Sequence, residues 1–238
     1  MTEEMNFNIP VPKKPDGIQM TSGEVERHLF KKAETSQAAF EKAIWNLIVF
    51  YAQTSQIEKA IPNIQKLMAL SDDPETKAQC LLILGQLMEN TDQYEKAIHF
   101  YSEALSLEPI ISNVWYLINN NLGYCLNQCC RYDEAIPYCE SAIQISPDRH
   151  NAYKNLGVAL EGLGNFSEAA LHFIESIQRN AGDPRALGHL EELIVLHKEV
   201  LSDIPDLTDK IFQCRQAVHF AHQVKQDFIA KMNKKQKE

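Results

Sequence analysis

Apolar residues recur three and four positions apart through most of the chain, the period of helices with one buried face. Between Tyr116 and Asp183 one pattern of large, small and polar positions occurs twice without a gap. Counting Tyr116 as position one, Leu122-Gly123 stand at seven and eight, Ala135 at twenty and Pro147 at thirty-two. Counting again from His150, Leu156-Gly157 and Ala169 fall at the same places, and the strings NLGYCLNQCCRYDEA and NLGVALEGLGNFSEA align. Each copy predicts a helix, a turn and a second helix.

Two more divergent copies precede these. From Ala78 the pattern gives Leu84-Gly85, Ala97, Tyr101 and Pro109, with three residues inserted before it and four after it. From Glu41 it gives Leu47-Ile48, Tyr51 and Ala60, so Ile48 replaces the small residue of the other copies. Pro62 and Pro137 hold equivalent places and are expected in the first turn of their helices, where a missing N–H does little harm. The insertion from Ser112 to Trp115 predicts an N-terminal extension of the next helix. Asn119 takes a position normally filled by a large apolar residue, and Trp115, one turn earlier, is placed to fill that space. The glycines and alanines let paired helices approach closely. A lone hairpin cannot bury its apolar face but a stack can.

A 34-residue period with this spacing resembles the tetratricopeptide repeat family. The resemblance implies an all-α, right-handed α-α superhelix with a concave face lined by the first helix of each repeat and a C-terminal capping helix pair. The repeats are expected over 41–183, in units of about 41–74, 78–111, 116–149 and 150–183. A flexible arm over 1–20, with Pro10, Pro12 and Pro15, precedes an N-terminal helix over 21–40. Thr21 and Glu24 form its capping box, and a bend or break is expected near Glu34-Thr35-Ser36.

After Asp183 the repeat spacing gives way, and 184–238 is expected to hold capping helices and a basic tail. The last helix, from about Asp206 to Met232, carries Leu207, Ile211, Cys214, Val218, Ala221, Phe228 and Met232 in a rough heptad. This seam either covers the last repeat or pairs with a second copy, the latter opposed by Lys225.

Composition narrows the function. The chain of 238 residues is 45% hydrophobic and 23% charged, with a formal net charge of −9. Residues 38–183 hold nine Lys/Arg against eighteen Asp/Glu. An acidic block repels phosphate backbones, so no nucleic acid is expected as partner. No apolar run spans a bilayer and the N-terminus has no secretory pattern, so a cytoplasmic protein with no membrane partner is expected. Six cysteines fit no disulfide framework. Cys125 and Cys129, one turn apart, are either buried thiols or half of a metal site, and His219 and His222 are either solvated or metal-directed. No metal or cofactor is expected. No phosphate loop, Gly-x-Ser-x-Gly or His-Glu-x-x-His occurs, so no enzyme activity is expected.

Binding is the better reading. In the family, first-helix positions such as two, five, six and nine border the groove. The resemblance places Asn46, Leu82, Gln86, Asn120, Asn121, Tyr124, Asn151, Lys154 and Asn155 there. Asparagine stands at position six in three of the four repeats. Its amide can pair with both the C=O and the N–H of an extended peptide, or simply bond water and its own helix. Such a series resembles the asparagine ladder of some peptide-binding members. The Lys/Asn clamp of chaperone-tail binders is not matched by three consecutive repeats. Trp45, Leu82 and Ile83 suggest an apolar pocket, or core packing against the first helix, and the NFNIPVP arm is itself a candidate groove occupant. The expected function is a non-enzymatic module binding an extended peptide of a protein partner, adaptor- or co-chaperone-like. The alternative is a structural scaffold, a monomer or weak homodimer, that oligomerises through its terminal helices.

Overall fold

The computed structural model describes residues 19–31 and 37–235, and the fold is all-α. Residues 1–18 of the expected arm and the expected break at Glu34-Thr35-Ser36 lie outside the described residues. The chain forms two compact units, 1–121 and 122–238.

The first unit opens with α1 (Ser22–Lys31), whose Thr21 backbone N–H donates to the Glu24 carboxylate at 2.8 Å, the return half of a capping box. It packs on α2 (Gln37–Gln53), which pairs with α3 (Ile57–Leu70). Next come α4 (Pro74–Glu89) and α5 (Tyr94–Ser106), another packed pair. Asp73 caps α4 by accepting the Thr76 amide at 3.0 Å. Helix α6 (Ser112–Gln128) begins in the first unit and ends in the second, and the inserted Ser112–Trp115 segment is its first turn. Glu75 accepts the amides of Ile110 at 2.7 Å and Ile111 at 3.3 Å, fixing the approach to α6. Asn119 sits at its apolar position by turning its amide back to the Trp115 carbonyl at 2.9 Å.

The second unit holds the end of α6, then α7 (Tyr132–Ile145), α8 (His150–Gly162) and α9 (Phe166–Arg179). It closes with α10 (Arg185–Leu196), the single turn α11 (Val200–Asp203) and the long α12 (Leu207–Lys235). Helix α10 packs on α8 and α9, and α12 packs on α9 and α10. One apolar core runs from Cys139 and Phe173 through Leu190 to Ile211 and Cys214. The start of the last helix is therefore a cap on the fourth repeat.

Close approach is set at one recurrent site. A methyl on Gly85 would lie 2.2 Å from the Tyr101 ring, one on Gly123 2.5 Å from Cys139 Sγ, and one on Gly157 2.6 Å from the Phe173 ring. The first repeat puts Ile48 and Ile64 at these two places, both fully buried. Each of these glycines faces an aromatic ring or a thiol, and where a branched residue replaces glycine the residue sixteen positions on is branched as well. The prolines fall differently from expectation. Pro62 and Pro137 are each the sixth residue of their helix, inside it rather than in its first turn. Each removes the amide that would have reached the carbonyl four residues back.

Every first helix of the four pairs ends through a left-handed residue two positions before the second helix: Ser55 (φ 55°), Asp92 (φ 56°), Cys130 (φ 56°) and Gly164 (φ 82°). The following amide reaches back five residues at 2.9 Å each time, from Gln56 to Tyr51, Gln93 to Met88, Arg131 to Leu126 and Asn165 to Leu160. Only the fourth repeat meets this geometry with glycine, which has no Cβ to oppose it. Cys130→Gly is expected to stabilise the chain by about 0.5–1 kcal/mol, the relief of left-handed strain less the extra freedom gained when unfolded. A higher thermal midpoint than wild type checks it, and a lower one refutes it.

Candidate functional site

Polar groups are rarely buried without a reason, because unpaired burial costs several kcal/mol. Here they gather on first helices. Asn119, Asn120, Asn121 and Asn127 on α6 and Asn151, Lys154 and Asn155 on α8 are buried, whereas among the described residues the second helices bury no amide or charged side chain.

In the first unit the expected site residues divide. Asn46 on α2 and Gln86 on α4 are half-buried, while Leu82 is wholly inside. Asn120 and Asn121 join a buried network. The Asn120 amide donates to Asn121 Oδ1 at 3.0 Å, and Asn121 Nδ2 donates to the Tyr101 hydroxyl at 3.4 Å. Tyr101 in turn donates to Glu89 at 2.9 Å, so a carboxylate only 6% exposed has a proton donor. The pocket expected around Trp45, Leu82 and Ile83 forms differently. Trp45 lines a cleft of about 240 Å³ with Ala38, Lys42, Leu67 and Gln79, and Leu82 and Ile83 belong to the core instead.

In the second unit α6, α8 and α10 bring one set of polar groups together. Lys154 is 6% exposed; its Nζ donates to Asn155 Oδ1 at 2.8 Å and stands 5.7 Å from the centre of the half-buried Tyr124 ring. Asn127 Nδ2 donates to the Asn155 carbonyl at 2.8 Å, and its buried Oδ1 finds no partner among the described residues. Asn151 Oδ1 accepts from Arg185 on α10 at 3.0 Å. Arg185 also grips Asp183, which holds His150 at 3.0 Å and so joins the start of α8 to the start of α10. Burial lowers the affinity of the His189 imidazole for a proton, and the neighbouring Lys154 and Arg185 charges lower it further against Glu192. Burial pushes the Cys139 thiol up to about 12 even with Lys154 nearby. Tyr124, Asn151, Lys154 and Asn155 thus share one face.

Arg185 and His189 fall outside the expected repeats, whose spacing gives way after Asp183. The signal was present: thirty-four residues after His150 comes Pro184, so Arg185 and His189 take positions two and six of a further first helix. All six cysteines are free, with Cys125 buried and Cys129 half-buried, and among the described residues no three His, Cys, Asp or Glu gather as metal ligands. No helix of the described residues is long and apolar enough to cross a membrane.

Stacked helical hairpins with close glycine contacts and polar first helices define a helical-repeat protein. Residues 78–110 and 116–180 each match the tetratricopeptide repeat family, and the chain is a tetratricopeptide repeat protein. Among curated relatives it is 32% identical over 94 residues to a peroxisomal targeting signal receptor of Candida albicans, covering 40% of this chain and 15% of that protein. It is 35% identical over 100 residues to small glutamine-rich tetratricopeptide repeat-containing protein 2 of Saccharomyces cerevisiae, covering 41% and 28%. The matched segments therefore span less than a third of those relatives. Among solved structures the fold matches YrrB, described as a TPR protein with an unusual peptide-binding site, with a TM-score of 0.58 at 17% identity, covering 87% of this chain and 98% of that one.

Proposed function

We propose that the protein is a non-catalytic binding module, adaptor- or co-chaperone-like, that holds an extended peptide of a protein partner on its first-helix faces. The observation that carries this is the concentration of buried amides and one buried ammonium on α6 and α8, beside a half-buried tyrosine. Their hydrogen bonds to one another, such as Lys154 Nζ to Asn155 Oδ1 at 2.8 Å, hold these groups in fixed orientations, so a peptide backbone would meet a preorganised polar face. In the second unit Tyr124, Asn151, Lys154 and Asn155 form this face, and Lys154 with Arg185 suits a peptide bearing a carboxylate. In the first unit Asn46 and Gln86 are the more accessible candidates, with Leu82, Asn120 and Asn121 shaping the layer behind them. A relative named as a targeting signal receptor and a fold match described by its peptide-binding site support the reading.

Selection of phage-displayed random peptides on the full chain tests it. Enriched peptides are expected to bind Lys154→Ala and Asn155→Ala about tenfold or more weakly than wild type, the worth of a charge-assisted hydrogen bond. Circular dichroism checks that both variants fold. No enrichment, or equal affinity for wild type and both folded variants, would sink the reading.

A further inference from the structure

The distal half of α12 is not used by the repeat stack. Leu207, Ile211 and Cys214 are buried and Val218 is half-buried, so the helix is seated through its first three turns. From His219 to Asn233 every side chain except Ala221 is exposed. Those fifteen residues span about 22 Å of helix. They are not uniformly polar. Phe220, Val224, Phe228 and Met232, each four residues after the last, form a single ridge, and their exposures are 69%, 51%, 63% and 44%. Lys225 and Lys231, three residues before and after Phe228, fall about 60° to either side of it on the helical wheel. His219, Gln223 and Gln226 lie on the face away from the ridge. Over residues 215–238 the sequence holds six Lys/Arg against two Asp/Glu, opposite in sign to the acidic repeat block.

We propose that this ridge is a peripheral docking surface for an anionic lipid bilayer. An apolar stripe with lysines at both edges fits an interface with headgroups. The aromatic and aliphatic side chains enter the acyl boundary while the lysine stems bend outward to reach phosphate and carboxylate groups. A second copy of the chain fits less well on charge. Parallel pairing sets each lysine against its own counterpart, and a two-fold centred on Phe228 sets Lys225 of one chain against Lys231 of the other. The sequence-based expectation of no membrane partner came from the lack of a spanning run. An interfacial helix needs no such run, only a stripe, and the stripe becomes visible once the seated and unseated halves of α12 are distinguished.

The test is co-sedimentation of the full chain with vesicles of phosphatidylcholine alone and of phosphatidylcholine with phosphatidylserine, together with light scattering. Wild type is expected to partition onto the anionic vesicles at least about tenfold more strongly than onto the neutral ones, and added salt should reduce the difference. Phe220→Gln/Phe228→Gln is expected to lower partitioning about tenfold or more while melting with wild type, because both rings are exposed. Lys225→Gln/Lys231→Gln is expected to weaken only the anionic binding. No retention on anionic vesicles, or equal retention of the phenylalanine variant, overturns the proposal. A wild-type dimer that the phenylalanine variant abolishes also overturns it, by assigning the ridge to a second copy.

Discussion

Gly85→Ala is expected to cost about 2 kcal/mol of stability despite adding a better helix former. In an exposed helix the same change would gain about 1 kcal/mol. Here the new methyl would lie 2.2 Å from Tyr101 Cε1 and 2.6 Å from Cδ1, far inside contact distance. Tyr101 has no exposed surface and its hydroxyl is held between Glu89 and Asn121, so the ring cannot swing out without breaking both bonds. Overpacking of this kind typically costs 1–3 kcal/mol, and a buried carboxylate stripped of its donor adds to it. The measurement is a denaturant midpoint followed as a double-mutant cycle. Tyr101→Leu should itself be destabilising. In its background Gly85→Ala should cost far less, since the ring that obstructs the methyl is gone. Additive effects would show that the close approach is not what the glycine provides. The protein contains its own precedent, for where Ile48 replaces glycine the residue sixteen positions on is Ile64 rather than an aromatic ring, and both are buried.

That pairing shows why much of the fold was legible. Glycine, alanine and large apolar residues recur at fixed spacing because each repeat solves the same packing problem with the same contacts, and a period can be counted without coordinates. Features outside the period were harder to read. The register of Pro62 and Pro137 is clear in the string, but the helix starts, set by the left-handed turns, are not, and both prolines fall beyond the first turn. Arg185 and His189 are hard to read as first-helix residues, since the second half of that repeat is replaced by α11 and α12, which hides the continuing register. The candidate site was legible as a set of positions but not as a set of contacts. Nothing in the string says that Asn121 bonds Tyr101 twenty residues earlier, or that Lys154 leans on Tyr124. Those pairings depend on how neighbouring helices are rotated, which a one-dimensional pattern does not carry. For α12 the heptad is legible, but the change along it from a seated stripe to an exposed one follows from where the repeats end.

The second large effect should depend on pH. Burial alone would raise the pKa of the Asp183 carboxyl, but the Arg185 side chain and amide, helped by His150, hold it well below the usual carboxylate range. A depressed value means the folded state prefers the ionised form more than the unfolded state does. The stability this gives is present above the ordinary aspartate value of about 3.9 and is lost as pH falls toward the depressed one. Asp183 is 13% exposed and connects the starts of α8 and α10, so its bonds are poorly replaced by water. Asp183→Ala is therefore expected to cost about 2 kcal/mol at neutral pH, the range for losing charge-assisted hydrogen bonds at a largely buried site. The same comparison near pH 2 should show a smaller gap, because protonation of the unfolded chain's aspartate then offsets much of the folded state's preference for the ionised form. Thermal midpoints of both proteins across this range provide the measurement. A gap that stays constant with pH would mean that Asp183 acts by shape or by its neutral hydrogen bonds. A gap that narrows on acidification would establish that the junction between the fourth repeat and its capping helix is electrostatic, and the same charges would then hold Arg185 in place beside Asn151 on the proposed binding face.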